Sequence, residues 1–453
     1  MKARGFQPQD TASGRTFRER VKIMTQSHFS RRGFIKATAA TDGAVSLFHI
    51  VPRAVLGGPG NNPPSNRITR GVIGTGNQGM THVTGARDGN SPTLAVCDVD
   101  KDHLGQALGR TGPDAKGYAD WRDVIDRKDI DTIHVGTPPH WHALISIAAM
   151  QAGKDVFSEK PMTRFLAEGP ALIKAVERYG RVYTINTYAR PNFRDLKRLV
   201  DTGFLGTPVT CLVSPTTRYG FKVHEWSGKT NQPPEPVPQA LDYDMWLGPA
   251  PFKPYFRHRT HMSFRGYWDY DGGGLADMGQ HWLDRIQYVL GKDHDSPVEV
   301  EAKAAWPAHP DAVGLWGSVD LKYADGTKII LETGEWGDPI QPNRPYFEGP
   351  KGKIWGGDNK ADRTDPPEML AKLNSLPELP RPISFEDAVK TRVQPTEHPD
   401  VWAAHRSITL IHLANAAIRT GRKLKFDPEA QQFVNDPEAN LLLNVPMRAP
   451  WHL

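Results

Sequence analysis

One stretch constrains this chain more than any other. It is Gly71-Val-Ile-Gly-Thr-Gly-Asn-Gln-Gly79, which places Gly74, Gly76 and Gly79 in G-x-G-x-x-G spacing. Ile68, Val72 and Ile73 read as a strand, and the residues after the run can open a helix. In such a unit Gly74 permits a tight turn and Gly76 lets backbone approach a pyrophosphate. Gly79 lets helix and strand pack closely, with Asn77 and Gln78 carried between them toward the ligand. The helix N-terminus adds unpaired N–H groups and partial positive charge. By itself the spacing also suits an ordinary glycine-rich turn, so the residues downstream decide.

Thr93-Leu-Ala-Val-Cys-Asp98 reads as a short buried strand ending in an acid. Asp98 follows Gly79 by 19 residues, close to the roughly 20-residue separation of a ribose-binding carboxylate. Such a carboxylate accepts hydrogen bonds from the ribose hydroxyls and repels a 2′-phosphate, so NAD is expected over NADP. The plainer alternative is an Asp that caps a turn. No Arg or Lys follows Asp98 until Lys101.

The 453 residues suffice for two or three domains. The chain opens with a segment that is not fold. Ser30-Arg-Arg-Gly-Phe-Ile-Lys36 matches the twin-arginine export pattern, and a mildly apolar stretch to Leu56 follows, interrupted by Asp42 and His49. That stretch suits a signal region and is too short and polar to span a membrane. A periplasmic or otherwise exported protein, handled by the twin-arginine machinery, is therefore expected. Residues 1–57 hold ten Lys/Arg against three Asp/Glu, whereas the whole chain is +5, so the remainder carries about −2. The basic balance belongs to the targeting region and does not argue for nucleic acid. Cys97 and Cys211 stand in apolar contexts, read as buried, and do not make a disulfide framework.

Residues 58–66 are Gly/Pro/Asn-rich and read as a linker. From 67 to 190 strand-like runs (68–74, 93–98, 132–136, 155–159, 181–186) alternate with helical stretches, the rhythm of a parallel sheet covered on both faces. From 191 onward the pattern changes. After a helix at 192–202, longer strand-like runs (208–214, 298–306, 315–323, 327–335) include a hairpin turn at Ala324-Asp-Gly326. This predicts an α+β domain over 191–453 with a large, open, mainly antiparallel sheet. Residues 228–240 and 337–382, rich in Pro, Gly and charge, read as long surface loops. A helix at 399–420 and a tail close the chain.

Three clusters can carry chemistry. Thr137-Pro-Pro-His-Trp-His142 directly follows a strand, where ligands of open α/β sheets sit. Thr137, Pro138 and His142 are expected against the cofactor. The His140-x-His142 pair lacks further Cys or His at metal-ligand spacing, so no metal is expected. Ser158-Glu-Lys-Pro161 follows another strand end and offers Glu159 to the cofactor. It also offers Lys160 to a reacting hydroxyl, although a lone lysine there would otherwise be a solvated turn residue. In Gly272-Gly-Gly-Leu-Ala-Asp-Met-Gly-Gln-His-Trp-Leu-Asp284, Asp277 and His281 are four apart, one turn of one helical face. Histidine titrates where proton exchange is useful, and a nearby carboxylate can raise its basicity. Asp284 reads as structural.

Taken in order, these motifs resemble the Gfo/Idh/MocA oxidoreductases over residues 67–445. The elements are Gly74/Gly76/Gly79, Asp98, Thr137-Pro138 with His142, Glu159-Lys160-Pro161, and Gly272 through Asp284. The export signal resembles the secreted bacterial branch. The resemblance implies a Rossmann domain plus an α/β domain whose sheet carries substrate and mediates homo-oligomers. It implies Lys160, Asp277 and His281 as the catalytic trio and a sugar, cyclitol or derivative as substrate. His281 would be general base, Lys160 would stabilise the alkoxide and relay its proton, and Asp277 would hold the hydroxyl or tune His281. Free NAD is scarce outside the inner membrane, so a cofactor tightly bound through turnover is expected. Transient oxidation serving elimination, epimerisation or glycoside cleavage is an alternative to net dehydrogenation. A non-catalytic sugar-binding protein is a third.

Overall fold

In the computed structural model, residues 67–84 and 91–453 are described; the export motif and the 58–66 linker lie outside them. The first layer is a six-stranded sheet of β1 (Arg70–Ile73), β2 (Thr93–Cys97), β3 (Lys116–Tyr118), β4 (Thr132–Val135), β5 (Asp155–Glu159) and β6 (Tyr183–Asn186). All its pairings are parallel, in the order β3-β2-β1-β4-β5-β6. That is the doubly wound order with its switch point between β1 and β4. The crossovers include α1 (Gly79–Thr84), α2 (Lys101–Leu108), α3 (Trp121–Ile125), α4 (His142–Gln151) and α5 (Glu168–Tyr179). β1, β4 and most of β2 are buried, as strands covered on both faces must be. β3, three exposed or half-exposed residues at the edge, has no apolar pattern to betray it in the sequence.

The turn after β1 depends on missing side chains. Gly74 has a φ of +80°, and a Cβ there would lie 2.5 Å from the Thr137 amide nitrogen. A Cβ on Gly79 would fall 1.8 Å from the Gly74 carbonyl oxygen, and one on Gly136 would fall 2.7 Å from the Gly79 Cα. The β1 turn, the start of α1 and the end of β4 therefore meet as bare backbone.

A helix α6 (Arg194–Asp201) leads to the second sheet. Its nine strands run β13-β12-β11-β7-β10-β9-β8-β14-β15. They are β7 (Thr210–Val213), β8 (Glu299–Ala304), β9 (Trp316–Lys322), β10 (Lys328–Glu332), β11 (Phe347–Glu348), β12 (Lys353–Gly357), β13 (Lys360–Asp365), β14 (Leu424–Asp427) and β15 (Gln432–Phe433). Only β7–β10 pairs parallel, so the sheet is mixed and mainly antiparallel. The hairpin expected at Ala324–Gly326 is present as β9–β10. Residues 337–382, expected as a surface loop, instead supply β11–β13. These short strands toward one end of the sheet have few buried positions, so their composition is that of a loop. The tail likewise contributes β14 and β15.

Two long helices cover one face of this sheet. α8 (Gly273–Leu290) crosses α9 (Val401–Thr420), and Gly279 brings the α8 backbone toward Ile411. Asp400 caps α9 by accepting from the Ala403 N–H, and Gly421 ends it in the left-handed region. Between the sheets, α7 (Tyr243–Leu247) begins a strap of residues 241–271 with its own core of Trp246, Phe264 and Tyr270. No helix among the described residues is long and apolar enough to cross a membrane. Cys97 and Cys211 are buried free thiols.

Since the contacts at Gly79 are backbone to backbone, Gly79→Ala has nowhere to relax. It is expected to destabilise the fold by at least about 1–3 kcal/mol, read as a lowered urea midpoint. An unchanged midpoint would show that the turn can open to admit a methyl group.

Candidate active site

The carboxyl ends of β1, β2, β4 and β5 converge on one cleft, roofed by the strap. Gly74, Gly76, Asn77 and Gln78 line it from the first turn. A Cβ on Gly76 would meet nothing closer than the His103 ring at 3.6 Å, so bare backbone faces the opening. Asp98 lines the cleft after β2. Its Oδ2 accepts from the Thr75 N–H at 2.7 Å and from Thr75 Oγ1 at 3.2 Å, and its Oδ1 accepts from the Asp100 N–H at 2.9 Å. These bonds hold the carboxylate over the glycine turn.

Thr137 and Pro138 line the cleft from the end of β4, beside the Trp141 ring. Glu159 closes β5. Its Oε1 receives His82 Nε2 at 2.7 Å, Asn186 Nδ2 at 2.8 Å and Gln78 Nε2 at 3.2 Å. Burial would raise this carboxyl, but the His82 contact, the Lys160 charge and the Asn186 bond hold it down to about 2. Glu159 Oε2 and Thr137 Oγ1 are buried without a partner. A bare-backbone cradle at Gly76, an oriented acid at Asp98 and two unsatisfied polar oxygens at the ends of β4 and β5 fit a dinucleotide.

The other end of the cleft is charged. Lys160 Nζ donates to the Asp277 carbonyl at 2.8 Å and to Asp277 Oδ1 at 3.0 Å. Arg265 Nε donates to the same Oδ1 at 2.6 Å. Burial disfavours the Asp277 carboxylate, yet the two cations more than offset that and keep its pKa well below the usual range. Asp271 also lines the cleft and is 2 % exposed. Burial and the Asp277 charge push it up to about 7. Two carboxyls of one site are thus driven apart, one firmly ionised and one protonated up to neutrality.

Three expected residues stand behind the cleft wall. Gly79 packs under the turn. His142 is fully buried at the start of α4. Its Nδ1 and Nε2 each lie 2.7 Å from a backbone carbonyl, of Pro161 and Thr137 respectively. The imidazole therefore braces the two loops that carry Lys160 and Thr137 and presents no ring nitrogen to a ligand. His281 is half-buried, stacks on Tyr188 at 4.1 Å, and has an Nδ1 without a hydrogen-bond partner. Burial, reinforced by the Lys160 charge, lowers it to about 3. The helical spacing predicted an Asp277–His281 couple, but the Asp277 Oδ1 that could make one is taken by Lys160 and Arg265. Asp284 is fully buried and bonded to Arg190 at 2.6 and 3.1 Å.

His82, Arg265 and Asp271 escaped the sequence reading. His82 sits on a short helix with nothing to mark it, and Arg265 lies in an irregular Phe-Arg-Gly-Tyr segment. Asp271 directly precedes the glycine run, which is the one signal that could have drawn attention to it.

The comparisons with known proteins agree with this geometry. The profile described as "Oxidoreductase family, NAD-binding Rossmann fold" matches residues 68–187, and that described as "Oxidoreductase family, C-terminal alpha/beta domain" matches residues 190–453. The chain is 31% identical over 260 residues to inositol 2-dehydrogenase of Salmonella typhimurium, covering 56% of this chain and 74% of that one. It is 28% identical over 176 residues to levoglucosan dehydrogenase of Pseudarthrobacter phenanthrenivorans, covering 38% and 36%. The crystal structure of the WlbA dehydrogenase from Bordetella pertussis with NADH and UDP-GlcNAcA superposes with a TM-score of 0.55 at 19% identity, over 80% of this chain and 99% of that one. With both lobes matched and the cleft between them built for a dinucleotide, the chain belongs to the Gfo/Idh/MocA family of NAD-binding oxidoreductases.

Proposed function

We propose that this protein transfers hydride between tightly held NAD(H) and a CH–OH group of a sugar, cyclitol or sugar derivative. The observation that carries the reading is the Lys160–Asp277–Arg265 cluster, set on the same cleft as the Gly76 cradle and Asp98. Bound NAD supplies the hydride acceptor at C4 of its nicotinamide. The Gly76 backbone, Asn77, Gln78 and Thr137 hold the cofactor, and Asp98 takes the adenosine ribose, which favours NAD over NADP. Lys160 donates to the substrate oxygen and stabilises the developing alkoxide. Asp277 aims the lysine by accepting its hydrogen bond, and Arg265 donates to the same carboxylate oxygen. The family resemblance gives the general-base role to His281, one helical turn beyond Asp277 with an unpartnered Nδ1. The relatives named above as inositol and levoglucosan dehydrogenases support a polyhydroxylated substrate.

The twin-arginine motif at Ser30–Lys36 supports an exported, periplasmic protein that carries its nucleotide across the membrane in the folded state. The strap supports retention, because it lies over the cleft through His261, Met262, Phe264 and Arg265. Homo-oligomer formation is supported by the second sheet, whose β9 alternates buried and solvent-facing residues and so keeps one face uncovered. A redox-neutral reaction, in which oxidation is transient and assists elimination or glycoside cleavage, is favoured by one observation. Asp271 lines the cleft as a buried second carboxyl beside the ionised Asp277, pushed up to about 7 by burial and that charge, and is placed to act as an acid.

Lys160→Ala and His281→Ala are each expected to lower turnover by at least about 100-fold while nucleotide content is retained. Near-normal turnover in either variant would remove that residue from the mechanism. Protein purified from the exported fraction is expected to release NAD(H), and not NADP(H), on denaturation and chromatography. Nucleotide-free protein would sink the retention argument. If Asp271 acts as an acid, product formation should fall as pH rises through about 7, because the raised carboxyl loses its proton there. Asp271→Asn should abolish cleavage of a glycoside while leaving reduction of the bound nucleotide by the sugar. A pH profile flat across neutrality in the wild type would exclude the role.

A further inference from the structure

The nucleotide lobe and the strap meet at one cluster not used above. Asp100 caps α2, with Oδ1 accepting from the N–H groups of Asp102 and His103 at 2.8 and 3.4 Å. Its Oδ2 stands 3.3 Å from Nε2 of His261, a strap residue. His103, in the first turn of α2, packs its ring against that of His261 with centroids 4.8 Å apart at 61°. One nitrogen of each imidazole and one Asp100 oxygen lie within 4.8 Å of one another. His261 adopts a φ of +52°, where non-glycine residues are uncommon, so the backbone bends in order to deliver this imidazole.

A simple clasp between lobes would need one ion pair. A second imidazole packed against the first adds repulsion whenever both are protonated, but it adds a ligand if a cation sits between them. The spacing suits this. Tetrahedral ligands about 2.1 Å from a metal are about 3.4 Å apart, close to the 3.3 Å between Asp100 and His261. Two imidazoles and a carboxylate form a donor set for zinc-class ions and not for calcium or magnesium. Beside His103, Asp98 Oδ2 lies 3.7 Å from Nδ1, a second carboxylate facing the imidazole. His103 is half-buried and His261 is exposed, which leaves room for water to complete the shell.

We propose that Asp100, His103 and His261 form a site for a divalent transition-metal ion of the zinc class, which ties the strap to the nucleotide lobe. The ion locks the roof at the Asp98 end of the cleft and slows release of the dinucleotide. That second step rests on Asp98 holding the ribose, whereas metal binding itself does not.

The test uses full-length protein stripped with a chelator and titrated with Co²⁺, whose visible absorption reports an imidazole-containing shell, followed by displacement with Zn²⁺. One Co²⁺ per chain is expected. His261→Ala and His103→Ala should each weaken binding at least about 100-fold, with circular dichroism and the thermal midpoint showing that the variants fold. Non-saturable binding, or affinity unchanged in both folded variants, overturns the site. Nucleotide release is measured separately with and without Zn²⁺. It should slow in the wild type and not in His261→Ala, and equal rates in the wild type overturn the locking step even where Co²⁺ binds.

Discussion

Three backbones meeting without side chains set the geometry on which the cleft depends. Gly74, Gly79 and Gly136 close the β1 turn against the start of α1 and the end of β4. The turn can then lie flat over the sheet, with the Gly74 N–H on the Cys97 carbonyl and the Gly136 N–H on the Ile73 carbonyl, each at 2.8 Å. This crossing puts Thr137 against Gly74 and lets Asp98 accept from the Thr75 N–H. No single residue of the cleft makes the site. The site follows from strand ends brought to a switch point at a spacing that any Cβ would spoil.

The electrostatics are arranged in the same economical way. One oxygen of Asp277 receives Lys160 from the nucleotide lobe and Arg265 from the strap. A buried ion pair alone gains little, because desolvation offsets attraction. A third charge changes this, since the carboxylate is firmly ionised and neither cation is left to face apolar walls unpaired. The same negative charge falls on Asp271 and helps keep that carboxyl protonated. One cluster therefore holds a donor cation, a fixed anion and a neutral acid within a single cleft, which is the separation of roles that acid–base chemistry near neutrality requires.

How much of this was legible in the sequence follows from the range of the interactions. The glycine turn, Asp98, Thr137 and Lys160 are local features of strand ends, and the doubly wound lobe was readable from their rhythm. The strands between 347 and 365 were not, because they bury few side chains and so compositionally resemble loops. Helical spacing correctly put Asp277 and His281 on one helix, but it could not reveal that Asp277 is engaged by residues 117 positions before and 12 before it. His142 failed for a related reason. A histidine in a cofactor loop reads as a ligand contact, yet here two backbone carbonyls occupy both nitrogens. Periodicity reports a shared face; it does not report which partner arrives there first.

The strap is where sequence and chemistry are furthest apart. Its residues show no motif, yet they bring Arg265 to Asp277, Met262 to Asn77 and His261 to Asp100. These contacts join both ends of the cleft to one irregular segment, so the segment cannot lift without breaking the charge cluster at the reacting end. The two ends of the cleft are then coupled through one element. The cluster at His103 and His261 lies at the Asp98 end of the cleft.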